Sequence, residues 1–201
     1  MTADAAAIAE QLLAGRADGI RADARRNLVR LIEAASEALD EVGVRASSHD
    51  IARRAGVGVG TFYRQVNSLD ELLTVIVNRS LDELVAAADA ALLDPDPWHG
   101  FGEFAATWAR LCAASRGVHE AVQGHGELDL TPMLVRLRLR LHRLVRHTQR
   151  AGVLRVDATW RDVASLLHGV RPADTMLGEP GEPDQWRRNL TVVLAGLHAR
   201  A

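Results

Sequence analysis

Ser47-Ser48-His49-Asp50-Ile51-Ala52-Arg53-Arg54-Ala55-Gly56-Val57-Gly58-Val59-Gly60-Thr61-Phe62-Tyr63-Arg64-Gln65-Val66 is the stretch from which the rest of the chain is read. Ser47 followed three residues later by Asp50 is a helix-start signal, a near relative of the capping box. Ile51, Ala52 and Ala55 supply the inner face of a short helix, and Gly56 ends it. After Val57 and Gly58 a further short helix runs to about Val66. Two short helices joined by a tight glycine turn have the shape of a helix-turn-helix, whose second helix lies in the DNA major groove. Gly58 and Gly60 remove side-chain bulk, so the backbone at that helix start can approach a phosphate. The positive end of a helix also attracts anions. Thr61 and Tyr63 offer hydroxyls and Arg64 a charged fork. Phe62 and Val66 are placed to face inward.

Outward from this stretch the pattern stays helical. From Asp23, Leu28, Leu31, Ile32, Ala35, Leu39 and Val42 recur at three- and four-residue steps, and Gly43 is placed as a stop. Ser68-Leu69-Asp70-Glu71 is a full capping box opening a helix to about Leu93. Asp94-Pro95-Asp96-Pro97 then breaks the chain. Further helices are expected from Trp98 to about Ala114, over 117–123, from Leu130 to Arg150, from Ala158 (capped by Asp157) to about Leu177, and from Asp184 onward. The run Leu137–Leu141 alternates like a strand, but the longer stripe Leu134, Leu137, Leu141, Leu144, Thr148 has the helical period. The expectation is an all-α protein of about nine helices. It has a loose arm over 1–20, a three-helix domain over 21–67, and a larger helical domain over 68–201.

Composition sets bounds without choosing a function. Of 201 residues 48% are apolar, enough for a sizeable core. All 24 basic side chains are Arg, whose planar fork suits phosphate and guanine. Net charge is −2, with residues 21–66 at +2 and the remainder at −4, so charge alone is a weak pointer to nucleic acid. No run reaches the roughly 18 apolar residues a membrane span needs. Asp4 and Glu10 stand where a secretory leader would be basic and then apolar. Cys112 is the single cysteine, so a cytoplasmic, reduced location is expected, with no membrane partner.

Enzyme chemistry finds little support. Gly56-Val57-Gly58-Val59-Gly60 follows a helix and lacks the G-x-G-x-x-G spacing of a dinucleotide loop. A chain without Lys has no P-loop lysine. His119, Glu120 and His125 come nearest to a metal set but lack the H-E-x-x-H spacing, so no metal and no cofactor is expected. Cys112 has no visible activating partner. A purely structural helical protein would explain the stripes equally well, but not the glycine-opened, hydroxyl-bearing helix at 58–66.

Residues 51–64, the preceding helix from Arg21 to Gly43, and the Ser68–Leu72 helix start together resemble the DNA-binding core of the TetR family, over about residues 21–75. The resemblance implies a bacterial transcription regulator, usually a repressor, that binds a palindromic operator in double-stranded DNA as a homodimer and is released by a small-molecule effector. By position, Ser47 and Ser48 would touch phosphate, His49 would reach the backbone, Val59, Gly60, Thr61 and Tyr63 would lie in the groove, and Arg64 near phosphate. Gly58 would bring the helix start close to the backbone. Some positions depart from the family. Val66 stands where an aromatic residue is common, Asn67 where Pro is frequent, Leu69 where a base is common, and Gly58 where a capping Ser is common. The missing base at 69 implies weaker salt dependence.

The C-terminal part resembles the family only in helix order. There an effector cavity is expected among Phe104, Trp108, Leu111, Cys112, Leu137, Leu141 and Met176, residues that ordinary core packing would explain as well. Arg138 falls beside Leu141 and Val145 on the apolar stripe, so a buried cation is expected there. Its partner would be an internal carboxylate or an anionic or carbonyl-bearing effector. The dimer stripe is expected along Trp160, Val163, Leu167 and Val170 on one helix and Trp186, Leu190, Val193 and Leu197 on the other. The helix over 69–93 is the expected lever of the switch.

Overall fold

The computed structural model of the chain describes residues 3–13, 22–124, 128–182 and 184–199, with backbone alone for Ala3, Asp4, Ala22 and Met176. The described residues form ten α-helices in order: α1 (Ala3–Leu13), α2 (Ala22–Val42), α3 (Ser48–Arg54), α4 (Val59–Gln65), α5 (Leu69–Ala91), α6 (Pro97–Ala114), α7 (Arg116–Val122), α8 (Thr131–Arg150), α9 (Trp160–His168) and α10 (Gln185–Leu197). A 3₁₀ turn at Gly43–Arg45 and a small antiparallel hairpin, β1 (Thr175–Met176) with β2 (Glu179–Pro180), complete the list. The all-α class expected from the sequence is the one adopted. Among the described residues no helix is long and apolar enough to cross a membrane.

The chain divides into two compact units, Met1–Arg79 with Ser115–Leu130, and Ser80–Ala114 with Thr131–Ala201. In the first, the α2 stripe buries Leu28, Leu31, Ile32, Ala35 and Leu39, while Val42 at the helix end is exposed. Both α3 and α4 pack on α2. Where a loose arm was expected over 1–20, residues 3–13 are instead helical. Ala5, Ile8 and Ala9 are buried, and α1 lies on α2. Tertiary burial of this small apolar face stabilises a helix whose own propensity would be marginal. Residues 14–20 of that arm lie outside the described residues.

The first unit also takes in α7, which the sequence assigned to the larger domain. Gly117 on α7 sits so close to Leu39 that a side chain would overlap it. Glu120 accepts a hydrogen bond from the Val44 N–H at 3.0 Å and one from Arg116 Nε at 3.1 Å. Its carboxylate therefore closes over the turn that ends α2. Gly43 holds that turn with φ of +72°, and a Cβ there would run into Glu120.

In the second unit α6 packs against α8, α9 and α10. Phe101, Phe104, Trp108, Leu111 and Cys112 of α6 and Leu137, Leu141, Leu144 and Val145 of α8 are all buried in the core of this unit. Thr148 is fully buried because its hydroxyl donates to the Leu144 carbonyl at 2.9 Å. The helix expected over 158–177 is shorter at both ends. Its cap is Thr159, in a reciprocal capping box with Asp162, while Asp157 pairs with Arg155 at 2.6 Å. It stops at His168; residues 169–174 form turns and irregular backbone, and Thr175 and Met176 belong to β1 of the hairpin. Pro172 has no N–H to continue a helix and biases the residue before it away from helical geometry.

Replacing Gly43 by Ala is expected to destabilise the first unit by about 1–2 kcal/mol from the left-handed backbone alone, with displacement of Glu120 adding to it. All four tryptophans lie in the second unit, so helicity by circular dichroism during urea unfolding is the appropriate readout. An unchanged midpoint would mean that the turn relaxes freely and that Glu120 is not a clamp.

Candidate nucleic-acid interface

The start of α3 is capped as its sequence requires: the Ser47 hydroxyl accepts from the Asp50 N–H at 3.1 Å. At its end the Gly56 N–H reaches the Arg53 carbonyl and the Val57 N–H the Ala52 carbonyl, at 3.2 and 3.0 Å. Gly56 then turns the chain with φ of +65°, a conformation L side chains rarely adopt. Gly58 is the N-cap of α4 in extended geometry, with no side-chain cap, as the missing Ser implied. Its carbonyl accepts from the Thr61 and Phe62 N–H groups at 2.8 and 3.1 Å.

Two turns of helix need an anchor, and Phe62, fully buried, supplies it, with buried Val66 closing the C-terminal end. About 100° round the helix from Phe62, Tyr63 points outward and is 54% exposed. Its hydroxyl lies 3.0 Å from the Ser48 hydroxyl, so two residues expected to face DNA, one from each helix, form one polar surface. Arg64 donates to the Thr61 hydroxyl at 2.9 Å. Ser47 and His49 are exposed beside them, while Val59 is half-buried. A Cβ at Gly58 or Gly60 would meet nothing within 4 Å. Packing among the described residues therefore does not call for glycine at either position.

A charge network that the sequence reading passed over fixes α3. Asp50 accepts from Arg53 and, at 2.8 Å, from Arg54. Arg54 also reaches Glu41 at 2.7 Å, tying α3 to the end of α2. The i,i+3 and i,i+4 spacing was visible in the sequence, but the bond to Glu41 was not. Hydrogen bonds from Arg53 first, then Arg54, hold the Asp50 carboxyl below its ordinary value. Arg54 does the same to Glu41, and its own guanidinium is raised in return. Arg30, an exposed base on α2, lies at the Gly56 turn and was likewise not singled out.

The residues expected to line an effector cavity are core residues of the second unit. Phe104, Trp108, Leu111, Cys112, Leu137 and Leu141 are all buried. Phe104 and Trp108 meet edge to face at 5.9 Å. Burial pushes the Cys112 thiol up to about 12, so it is inert at neutral pH. The Trp108 indole N–H is buried without a hydrogen-bond partner among the described residues. The Met176 side chain lies outside the described residues, and its backbone is in β1 rather than in a helix. The expectation of a buried Arg138 is corrected, because its side chain is exposed. The buried arc of α8 is centred on Leu137, Leu141 and Thr148, and position 138 falls just past its Val145 edge, where the guanidinium reaches water.

The expected dimer stripe is corrected in part as well. Val163, Leu167, Val170, Leu190 and Leu197 are already buried in the chain's own core, so they have little surface left for a partner. Trp160, Trp186 and Val193 remain partly exposed. Leu166 and Val192, 44% and 72% exposed, are the larger apolar surfaces left on α9 and α10. Among the described residues no group of three His, Cys, Asp or Glu could hold a metal ion, and His125 lies outside them.

Residues 31–76 match a family described as bacterial regulatory proteins, tetR family, and residues 96–199 one described as transcriptional regulator SbtR-like, C-terminal domain. An HTH-type transcriptional regulator of Staphylococcus aureus is 38% identical over 64 residues, 31% of this chain. That alignment spans 35% of the relative, about a third of the length of the curated relatives matched. A TetR transcription regulatory protein from Mycobacterium vanbaalenii, solved by crystallography, is 27% identical with a TM-score of 0.55, covering 90% of this chain and all 100% of that one. A ketosteroid transcriptional regulator of Mycobacterium tuberculosis has a TM-score of 0.61 at 20% identity over 90% of this chain and 98% of that one, a likeness of fold.

The depressed Asp50 carboxyl has a pH signature. A carboxyl whose folded value lies below its unfolded one contributes stability above the ordinary value of 3.8, and loses it as pH falls through the lower folded value. Asp50→Asn is therefore expected to lower the thermal midpoint at pH 7, and the gap from wild type should close as pH drops below 3.8. A gap independent of pH would show that the Asp50 charge is not what holds α3.

Proposed function

The chain belongs to the TetR family of DNA-binding transcriptional regulators, and we propose that it is a repressor that binds a palindromic operator as a homodimer and leaves it when a small molecule binds the second unit. The observation that carries this reading is α4: a short helix seated on Phe62, presenting Tyr63 outward, with open space at both Gly58 and Gly60. Since no neighbour among the described residues crowds those glycines, their lack of a side chain serves close approach from outside, which a groove-lying helix requires.

In this reading Val59, Gly60, Thr61 and Tyr63 face base edges and sugars. Ser47, Ser48, His49 and Arg64 bind phosphates and fix the register. The Ser48–Tyr63 and Thr61–Arg64 hydrogen bonds hold these groups in place before DNA arrives, which lowers the entropy lost on binding. Trp160, Trp186 and Val193, with Leu166 and Val192, form the partner-facing surface. Only two linked reading helices can span two half-sites. Phe104, Trp108, Leu111, Cys112, Leu137 and Leu141 form the interior an effector enters. The unpartnered Trp108 N–H is the donor that would orient an oxygen-bearing ligand. An effector acts only through its differential affinity for the DNA-free state.

Selection from random duplex DNA at fixed, moderate salt is expected to enrich a palindrome for wild type. Tyr63→Ala is expected to bind that palindrome about five- to a hundredfold more weakly, the range for losing one good base contact. Enrichment that is the same for wild type and Tyr63→Ala would remove Tyr63 from the groove. Folded, dimeric protein that enriches nothing would remove the operator-binding reading.

A further inference from the structure

The second half of α8 carries positive charge that no carboxylate among the described residues pairs with. Earlier on the same helix Arg136 pairs with Asp82 at 3.2 Å and Arg140 with Asp89 at 2.7 Å. Elsewhere in the second unit Arg110, Arg155, Arg171, Arg187 and Arg188 each find a carboxylate. Arg143, Arg146 and Arg150 have none within ion-pair distance among the described residues, although the chain holds 26 acidic side chains. They stand at i,i+3 and i,i+4 spacing, where like charges repel along a helix.

Two adjoining grooves, of about 480 and 370 Å³, share His142, Arg146 and Arg150 in their walls. The larger runs to the start of α9 and adds Trp160 and Arg161. The smaller adds Arg143 and His147. Among the described residues no carboxylate lines either one. The His147 Nε2 atom is buried without a hydrogen-bond partner. The negative end of α8 favours the cations of its last turn. It does not account for Arg143, nor for Arg161, which stands in the first turn of α9 where the helix dipole opposes a cation. One wall is held firmly: the Gln149 amide donates to the carbonyls of Arg155 and Ala158 at 3.0 and 2.8 Å. Trp160 contributes a flat ring, over which Arg161 lies at 4.6 Å.

We propose that this groove is an anion site for a phosphate-bearing small molecule carrying at least two phosphoryl groups. Exposed arginines line concavities of small-molecule size, and paired N–H donors match phosphoryl oxygens in geometry and charge. A single phosphate would leave most of the forks unmatched. The site stands on side chains of the second unit and does not depend on the operator-binding reading.

The test is calorimetric titration of the full-length protein with inorganic pyrophosphate, adenosine diphosphate and adenosine. Pyrophosphate is expected to bind saturably. The double variant Arg146→Gln/Arg150→Gln should weaken binding on the order of tenfold or more, since charge-assisted hydrogen bonds are lost. Arg136→Gln on the same helix and Arg64→Gln on α4 should leave it unchanged. Arg146→Lys/Arg150→Lys, which keeps charge and removes the forks, should fall between, and serves if the glutamine pair does not fold. Tighter binding of adenosine diphosphate would identify a nucleotide-like ligand, and equal affinity a bare diphosphate group; either supports the site. Absence of saturable binding would overturn it, as would equal weakening by Arg136→Gln, or loss through Arg64→Gln alone. A double variant that changes only the dimer's sedimentation would overturn it too, by giving these arginines to the acids of a second copy.

Discussion

A helix of seven residues cannot hold itself together in water, so α4 exists because Phe62 is buried. That one burial, of a kind that contributes about 1.5–3 kcal/mol, sets both the position of the helix and its rotation. With Phe62 inward, Tyr63 has to point outward, and its hydroxyl comes within reach of Ser48 on α3. The turn that allows this depends on Gly56 in the left-handed region. Everything proposed for DNA recognition rests on that arrangement. A groove-reading helix is useful only if its exposed face is held still by something that never touches the DNA.

The first unit carries its supports in layers. The α3 helix is locked by Asp50, Arg54 and Glu41, and the end of α2 by Glu120 reaching over from α7. Each of these charged groups has its hydrogen bonds made, which is what lets partly buried polar groups stabilise rather than cost. Glu120 ties α7 to the turn that ends α2, a carboxylate far along the chain holding the entry to the helix-turn-helix.

The second unit shows the opposite treatment of charge. Its core is apolar, with Thr148 satisfied by its own helix. At its surface, α8 pairs Arg136 and Arg140 with acids of α5, while Arg143, Arg146 and Arg150 have no carboxylate partner among the described residues. Electrostatic self-repulsion kept in a folded protein needs a reason, and a multiply charged ligand supplies one. Because every Arg here is a fixed cation, the two paired arginines can be structural ties and the three unpaired ones a binding surface without any change in residue type.

Sequence pattern alone determined the all-α class, the helix-turn-helix over residues 47–66, the caps at Ser47 and Ser68, and the stops at Gly43 and Gly56. All of these are local: they rest on 3.6-residue periodicity and on backbone groups within a turn of the side chain that satisfies them. Tertiary structure decided the rest. Ile8 made a helix of an expected arm because α2 was there to cover it, and Arg138 lay outside a buried arc whose centre only packing could locate. Val163 and Leu167 went to the chain's own core instead of a partner, a choice invisible to a stripe that looks the same in either case. The Ser48–Tyr63 and Val44–Glu120 bonds join residues 15 and 76 positions apart. No spacing rule reaches that far, because such contacts are set by how helices cross and not by how each one repeats.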